Sequence, residues 1–230
     1  MPIVYATALP TFPPHAEEAF LRRLCARWEY AAAHGLSPAQ RAHCRSFAPR
    51  GEALRARASR LLARLLALRA LPAGAALDRD AQGRPLVTGA PGWQLAFTHS
   101  GSAAFCLMSA PEETPSASPR SLALDAEAWG RPAPGDRAFA APAPTPEASL
   151  RRWVLAEALY KALGAPPARW DTVAAAAHAG ATQRGGLWQT DGARLCWRFL
   201  AAPGHVLCAA LPGTAFPRLE LRWLHWKIVI

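Results

Sequence analysis

The chain has 230 residues, 51% of them apolar and 18% charged, which is enough apolar material for one large or two small packed cores and argues against disorder. Its 26 Lys and Arg against 16 Asp and Glu leave a formal charge of +10, which favours an anionic ligand, an acidic protein or nucleic acid without choosing among them. No apolar run approaches the roughly 18 residues that span a bilayer, and the first 15 residues lack the basic start and apolar stretch of a signal peptide, so a cytoplasmic protein with no membrane segment is expected.

The five cysteines (Cys25, Cys44, Cys106, Cys196, Cys208) form no C-x-x-C pair and no zinc-finger spacing with His, so buried reduced thiols are expected. All the basic residues but Lys161 and Lys227 are Arg, and the excess is local. Residues 41–69 carry eight Arg (Arg41, Arg45, Arg50, Arg55, Arg57, Arg60, Arg64 and Arg69) against the one acid Glu52.

In chain order, Phe20, Leu21, Leu24 and Trp28 recur at near-helical spacing and predict a helix over residues 15–33, entered after Pro13 and Pro14. A second helix is predicted over 52–71, ended by Pro72 and Gly74. At 100° per residue Leu54, Leu61, Leu65 and Leu68 fall on one stripe, with Arg57, Arg60 and Arg64 along its flank. Residues 78–86 begin like a calcium loop with Asp78, Asp80, Gln82 and Gly83, but Gly89 stands where the bidentate Glu is required, so a polar turn before a short strand is expected instead. Turn-bounded apolar segments at 93–98, 103–109 and 121–127 predict strands, with a Pro/Ser-rich connector at 111–119. Residues 130–146 hold too many prolines for regular structure. A third helix is predicted over 147–164 from Thr145-Pro146 to Gly164, followed by strands at 186–190, 194–201 and 205–211, the last two joined at Pro203-Gly204. Helices followed by strands, twice over, read as an α+β protein.

Three places carry chemistry-bearing side chains. In the strand 121–127, alternation puts Asp125 and Glu127 on one face with Ala123, a pair of carboxylates with room for an oxygen-ligated cation. In the third helix Glu157 and Lys161 are four apart, with Trp153 and Tyr160 alongside. His99 falls between two predicted strands with Thr98 and Ser100, where a loop would present an imidazole and hydroxyls to an anion. G-x-G-x-x-G, P-loop and G-x-S-x-G patterns are absent, which removes the usual dinucleotide, nucleotide and serine-hydrolase readings.

Taken in order, the basic helix, Gly83-Arg84-Pro85, Thr98-His99-Ser100-Gly101, Ala123-Leu124-Asp125-Ala126-Glu127 and Trp153-Val154-Leu155-Ala156-Glu157-Ala158-Leu159-Tyr160-Lys161 resemble the 4′-phosphopantetheinyl transferase superfamily, most of all its larger, two-lobed, surfactin-synthetase-activating type. That family's hallmarks are a G-[KR]-P turn, an S-H-S segment, a G-[IV]-D-x-E strand and a W-x-x-K-E-A-x-x-K helix; the segment 203–210 is similar to its last strand. The chain departs from the pattern at Thr98, Ala96, Ala123 and Ala156, the last standing where the family has Lys before the helix Glu.

The resemblance implies an α+β fold of two similar α/β lobes forming an intramolecular pseudodimer, residues 1–115 and 116–230, with coenzyme A in the cleft between them and no need of a second subunit. It implies Mg²⁺ held by Asp125, Glu127 and Glu157, with Glu157 as general base and Lys161 at the leaving phosphate. It further implies Arg57, Arg60, Arg84, His99 and Ser100 as the residues holding coenzyme A. The expected activity is transfer of 4′-phosphopantetheine from coenzyme A to a serine of an acidic apo acyl or peptidyl carrier protein, releasing 3′,5′-ADP, in secondary-metabolite biosynthesis. The alternatives are a degenerate homologue that binds coenzyme A or carrier without catalysis, and a basic nucleic-acid-binding protein, against which the scattered Trp residues and the lack of an aromatic–basic motif argue.

Overall fold

The structure, a computed structural model, describes residues 1–46, 51–111, 122–131, 139, 143–164, 170–190 and 193–229. Arg50, most of the Pro/Ser connector and most of the proline-rich 130–146 stretch lie outside the described residues. The described chain is mixed α+β and divides into two compact units, Met1–Thr114 with Leu219–Ile230, and Pro115–Arg218. Among the described residues no helix is long and apolar enough to cross a membrane.

The first unit opens with β1 (Ile3–Ala8), a strand the sequence analysis did not single out, then α1 (Pro14–Ala31), α2 (Pro38–Arg45) and α3 (Gly51–Ala70). After these come the hairpin β2 (Ala76–Arg79) and β3 (Pro85–Thr88), then β4 (Gln94–Ser100) and β5 (Ala103–Ser109). Ser37 starts α2 by accepting the backbone N–H of Gln40 on its hydroxyl, with Pro38 in the first turn. β1 and β4 flank β5, both antiparallel to it, and α3 lies across this sheet with α1 packed on its other side. That sandwiching explains why burial on α3 is wider than the predicted leucine stripe. Ala58, Leu62, Ala63, Leu66 and Ala67 are buried with Leu54, Leu61 and Leu65, and Arg64 on the expected solvated flank is only 5% exposed. Trp28 of α1 is fully buried in the same core.

The second unit comprises β6 (Ala123–Ala128), α4 (Pro146–Leu163), α5 (Trp170–Gly180), β7 (Gly185–Thr190), β8 (Ala193–Ala202) and β9 (His205–Pro212). The sheet runs β6-β9-β8-β7, each neighbour antiparallel, and Gly204 at φ +68° makes the β8–β9 turn that only a residue tolerant of the left-handed region can make. Helix α4 begins where Thr145 accepts the Ala148 N–H and ends at Gly164 in the left-handed conformation, as the sequence predicts. It packs on β6 and β9, burying Val154, Leu155, Ala158, Leu159 and Ala162 against Ala123, Cys208 and Ala210. All five cysteines are free and buried.

The last strand, β10 (Glu220–Trp223), corrects the expected boundary. Residues 219–230 belong with the first unit, because β10 pairs in parallel with β1 and Leu224 and Trp226 pack on the first core. A parallel partner can come from anywhere downstream, so no local turn signal announces it. Leu224 also donates its N–H to Ala6 O at 2.7 Å, and Trp223 sits edge-on to Phe105 with centroids 6.0 Å apart. Removing residues 219–230 is therefore expected to cost about 3 kcal/mol through lost apolar burial. Thermal denaturation should show Tm lower by about 6–12 °C; an unchanged Tm would contradict this role of the segment.

Candidate functional site

The acidic group is assembled by packing α4 on β6. Alternation along β6 places Asp125 on the same face as Ala123, toward α4, and its cross-strand partner there is Cys208. Lys161, in the last turn of α4, donates to Asp125 Oδ1 at 2.5 Å and lies 3.4 Å from Glu157 Oε2 one turn back. Asp125 is 7% exposed on its side chain and Lys161 42%, so the ammonium closes a buried carboxylate from the solvent side. Helix and strand are thus tied by a charge pair whose acid is inside and whose base is half outside.

Burial raises the Asp125 pKa to about 6; Lys161 opposes the shift, and the charges of Glu157 and Glu127 reinforce it. Burial alone would lower Lys161, but Asp125 and Glu157 outweigh it and hold its pKa above the ordinary value. The structure thus brings Asp125, Glu157 and Lys161 together, and Glu127 enters through its charge. Their gathering into a ligand shell does not follow from it: among the described residues no group of three or more His, Cys, Asp or Glu side chains is assembled as a metal site. In kind and sign the donors fit a hard divalent cation, since the carboxylates of Asp125 and Glu157 share the one Lys161 ammonium, and burial, reinforced by the charges of Glu157 and Glu127, still disfavours charge on Asp125.

The aromatics of α4 serve packing. Trp153 and Tyr160 both meet Trp170 at the start of α5, with centroids 5.8 and 5.6 Å away. Ala156, where the resemblance would have Lys, is fully buried in the core of this unit, so the departure from the family pattern exchanges a cation for a packed methyl.

The candidate anion-binding residues of the first unit have separate fates. His99 lies within β4 rather than in a loop, because the strand's pairing with β5 continues through His99↔Ala104 to Ser100↔Ala103. Arg60 Nε donates to His99 Nε2 at 2.8 Å, which requires that nitrogen to be unprotonated. Ser100 is buried at the strand's end. Arg57 is ion-paired with Glu29, and Arg84 is drawn to Asp80, its Nε 2.7 Å from Oδ2, while Asp80 also caps the turn by accepting the N–H groups of Gln82 and Arg84. Those pairings make Arg57 and Arg84 structural cross-links in this structure.

Three further residues, His43, Arg64 and Arg79, join Arg60 and His99. Arg64 is buried, donates from Nε to Gln40 Oε1 at 3.2 Å and lies over the Phe97 ring at 4.5 Å. Burial, followed by the charges of Arg79, Arg64 and Arg60, lowers the His43 pKa to about 4. Arg60 is itself lowered to about 10 by burial and by Arg64. The Arg79 guanidinium crosses the Gly83 turn so closely that a Cβ there would stand 2.8 Å from Nη2. These like charges, gathered near the His43 and His99 imidazoles, concentrate positive potential in this part of the first unit, which favours a phosphate-type anion. Helical spacing joins Arg60 to Arg64 in the sequence, but nothing in it links them to α2 or β2.

Compared with known proteins, the chain matches no family model and no curated sequence.

Two stability effects follow. An acid whose native pKa lies above its usual 3.8 binds its proton more tightly when folded, so its contribution to stability falls as pH rises from about 4 to about 6 and stays lost above. Asp125→Asn, which leaves Lys161 its Glu157 partner, should raise stability at pH 8 by about 1–3 kcal/mol in urea titrations, with the gain vanishing below pH 4; a less stable variant at pH 8 would refute this. Ala156→Lys should destabilise by about 3 kcal/mol or more in the same assay, since an ammonium has no solvent at that position.

Proposed function

We propose that the chain is a Mg²⁺-dependent 4′-phosphopantetheinyl transferase of the two-lobed type, a cytoplasmic monomer acting on an acidic apo carrier protein. The observation that carries this reading is the Asp125–Lys161–Glu157 group, in which the strand and helix motifs of the resemblance meet around one buried carboxylate. The pseudodimer part of the reading is supported by each unit having a long helix, α3 or α4, laid across a four-stranded sheet.

In the reaction, the carrier serine oxygen attacks the phosphorus bearing pantetheine in the pyrophosphate of coenzyme A. The new bond is serine O–P, the broken one is the bridging P–O bond to the 3′,5′-ADP phosphate, and the serine proton passes to Glu157. Mg²⁺, held by Asp125, Glu127 and Glu157, would supply charge neutralisation at the pyrophosphate. Lys161 stabilises the phosphate that departs as 3′,5′-ADP, and Asp125 orients that ammonium. Arg60 and His99, together with Arg64, Arg79 and His43, are assigned to the phosphates of coenzyme A, and Arg57 and Arg84 would join them only by leaving Glu29 and Asp80. The net charge of +10 speeds encounter with an acidic carrier more than it deepens affinity.

The test is to incubate the chain with apo carrier, coenzyme A and Mg²⁺ and weigh the carrier. A phosphopantetheine adduct is expected, lost with a chelator and reduced by about 100-fold or more in Asp125→Ala and Glu157→Ala. An unmodified carrier despite measurable coenzyme A binding would replace this reading with the non-catalytic homologue. An active Asp125→Ala protein would remove the metal assignment.

A further inference from the structure

The second unit carries a cavity of about 940 Å³ between the β8–β9 turn, the end of β6 and the start of α4. None of the groups discussed above lies in its wall. Its apolar side includes Trp129, 43% exposed, with Phe199 and the buried Val206. Its charged side is formed by Arg151, Arg184 and Arg198, and among the described residues no Asp or Glu lines it. A cavity of this size accommodates a small organic molecule rather than an ion alone.

The cations are of two kinds. Arg151 is fixed in place: its Nε donates to Ala181 O at 2.6 Å, its Nη2 to Gln183 O at 2.7 Å, and its guanidinium lies 4.0 Å over the Phe199 ring. Arg184 and Arg198 are exposed neighbours on the β7–β8 ladder, where Phe199 N–H donates to Arg184 O and Arg198 pairs with Gly185. Arg151, Arg184 and Arg198 line the cavity together with Trp129 and Phe199, the Arg198 guanidinium lying 5.1 Å over the Phe216 ring, and among the described residues no carboxylate lines it, which gives positive potential beside an apolar floor. Such a wall lowers its own repulsion by taking up an anion and its apolar surface by taking up the anion's body.

We propose that this cavity binds an amphiphilic organic anion, a flat or aliphatic body carrying one carboxylate, sulfonate or phosphate group, independently of the transferase reading. The exposed indole of Trp129 takes the body, with the Arg151-covered Phe199 beside it, and Arg184 and Arg198 take the head, whose oxygens match the guanidinium fork. Arg151, already committed to two carbonyls, keeps Phe199 in position and adds charge.

The test titrates the full chain with 8-anilino-1-naphthalenesulfonate by calorimetry and fluorescence, and with N-phenyl-1-naphthylamine, which has the same body without the sulfonate. One equivalent of the sulfonate is expected to bind, and the neutral compound to bind at least about tenfold more weakly. The Arg184→Ala/Arg198→Ala protein should lose at least about tenfold in affinity for the sulfonate while keeping its circular dichroism and Tm, because both side chains are exposed. Trp129→Ala should weaken both probes, which reports the apolar floor separately from the head site. Equal binding of the neutral probe, unchanged binding in the double variant, saturation at several equivalents, or loss of binding on Arg60→Ala instead would each overturn the proposal. Neither the probe nor these substitutions bears on carrier modification, so failure here and failure of the transferase reading are distinguishable.

Discussion

The second unit depends on a charge that its surroundings disfavour. Asp125 is buried beneath α4, its pKa pushed up to about 6, with the Lys161 ammonium as its counterweight. A structure selected for stability alone would place an apolar residue there, because replacing a buried ion pair with well-packed hydrophobes is often neutral or favourable. Here Ala123, Cys208 and Ala210 surround Asp125 with small groups, and α4 brings the ends of Glu157 and Lys161 to the same place. The cost is local and the sheet carries it, since β6 is held along its length by β9. Perturbed titratable groups with specific charge partners cluster at functional sites, which makes this group the candidate in the second unit.

The first unit solves the opposite problem. Arg60, Arg64 and Arg79 crowd a region where burial and their charges drive His43 neutral, with Arg60 donating to the His99 imidazole and Arg64 to the Gln40 amide and the Arg60 carbonyl. By contrast Arg55 and Arg57 on the same helix meet Glu17 and Glu29 of α1. One helix therefore has a segment whose arginines stitch α3 to α1 through ion pairs, and a segment whose arginines crowd with Arg79 near His43. The net charge of the whole chain says nothing about that division, and ion pairing decides it residue by residue.

Much of this fold was legible in the sequence. Helices with strong punctuation, α1, α3 and α4, appear within one or two residues of the expected bounds because prolines, Thr145 and Gly164 act through local backbone geometry. Strands β4 to β9 were legible from alternation and turn residues. The short helix α2 and the alanine-rich α5 were not, since eight mostly polar residues and a run of small ones give little periodic contrast. β1 and β10 depend on each other across the whole length of the chain, a pairing with no local signature. At the candidate site the sequence joined Asp125 to Glu127 and Glu157 to Lys161, each within one element, and motif order joined the two pairs. It could not reveal that Arg57 is spent on Glu29, nor that His43 and Arg79 join Arg60, because those facts belong to tertiary contacts, whereas the Arg84–Asp80 pair closes within a single turn.

Ala156 shows how a motif departure is to be read. In isolation it removes a cation next to Glu157, but its side chain points into the core among Leu155, Ala158 and Leu159 of the same helix and the strands beneath. Residue 156 cannot share the face of Glu157 and Lys161, because adjacent helical positions are about 100° apart whereas those four apart are neighbours. The charged group of α4 therefore keeps its geometry whatever stands at 156. A lysine at that position would need a path to solvent through packing that this chain has closed with a methyl. The substitution thus bears on how α4 packs, while Asp125, Glu157 and Lys161 bear on what the site does, and the two can vary independently.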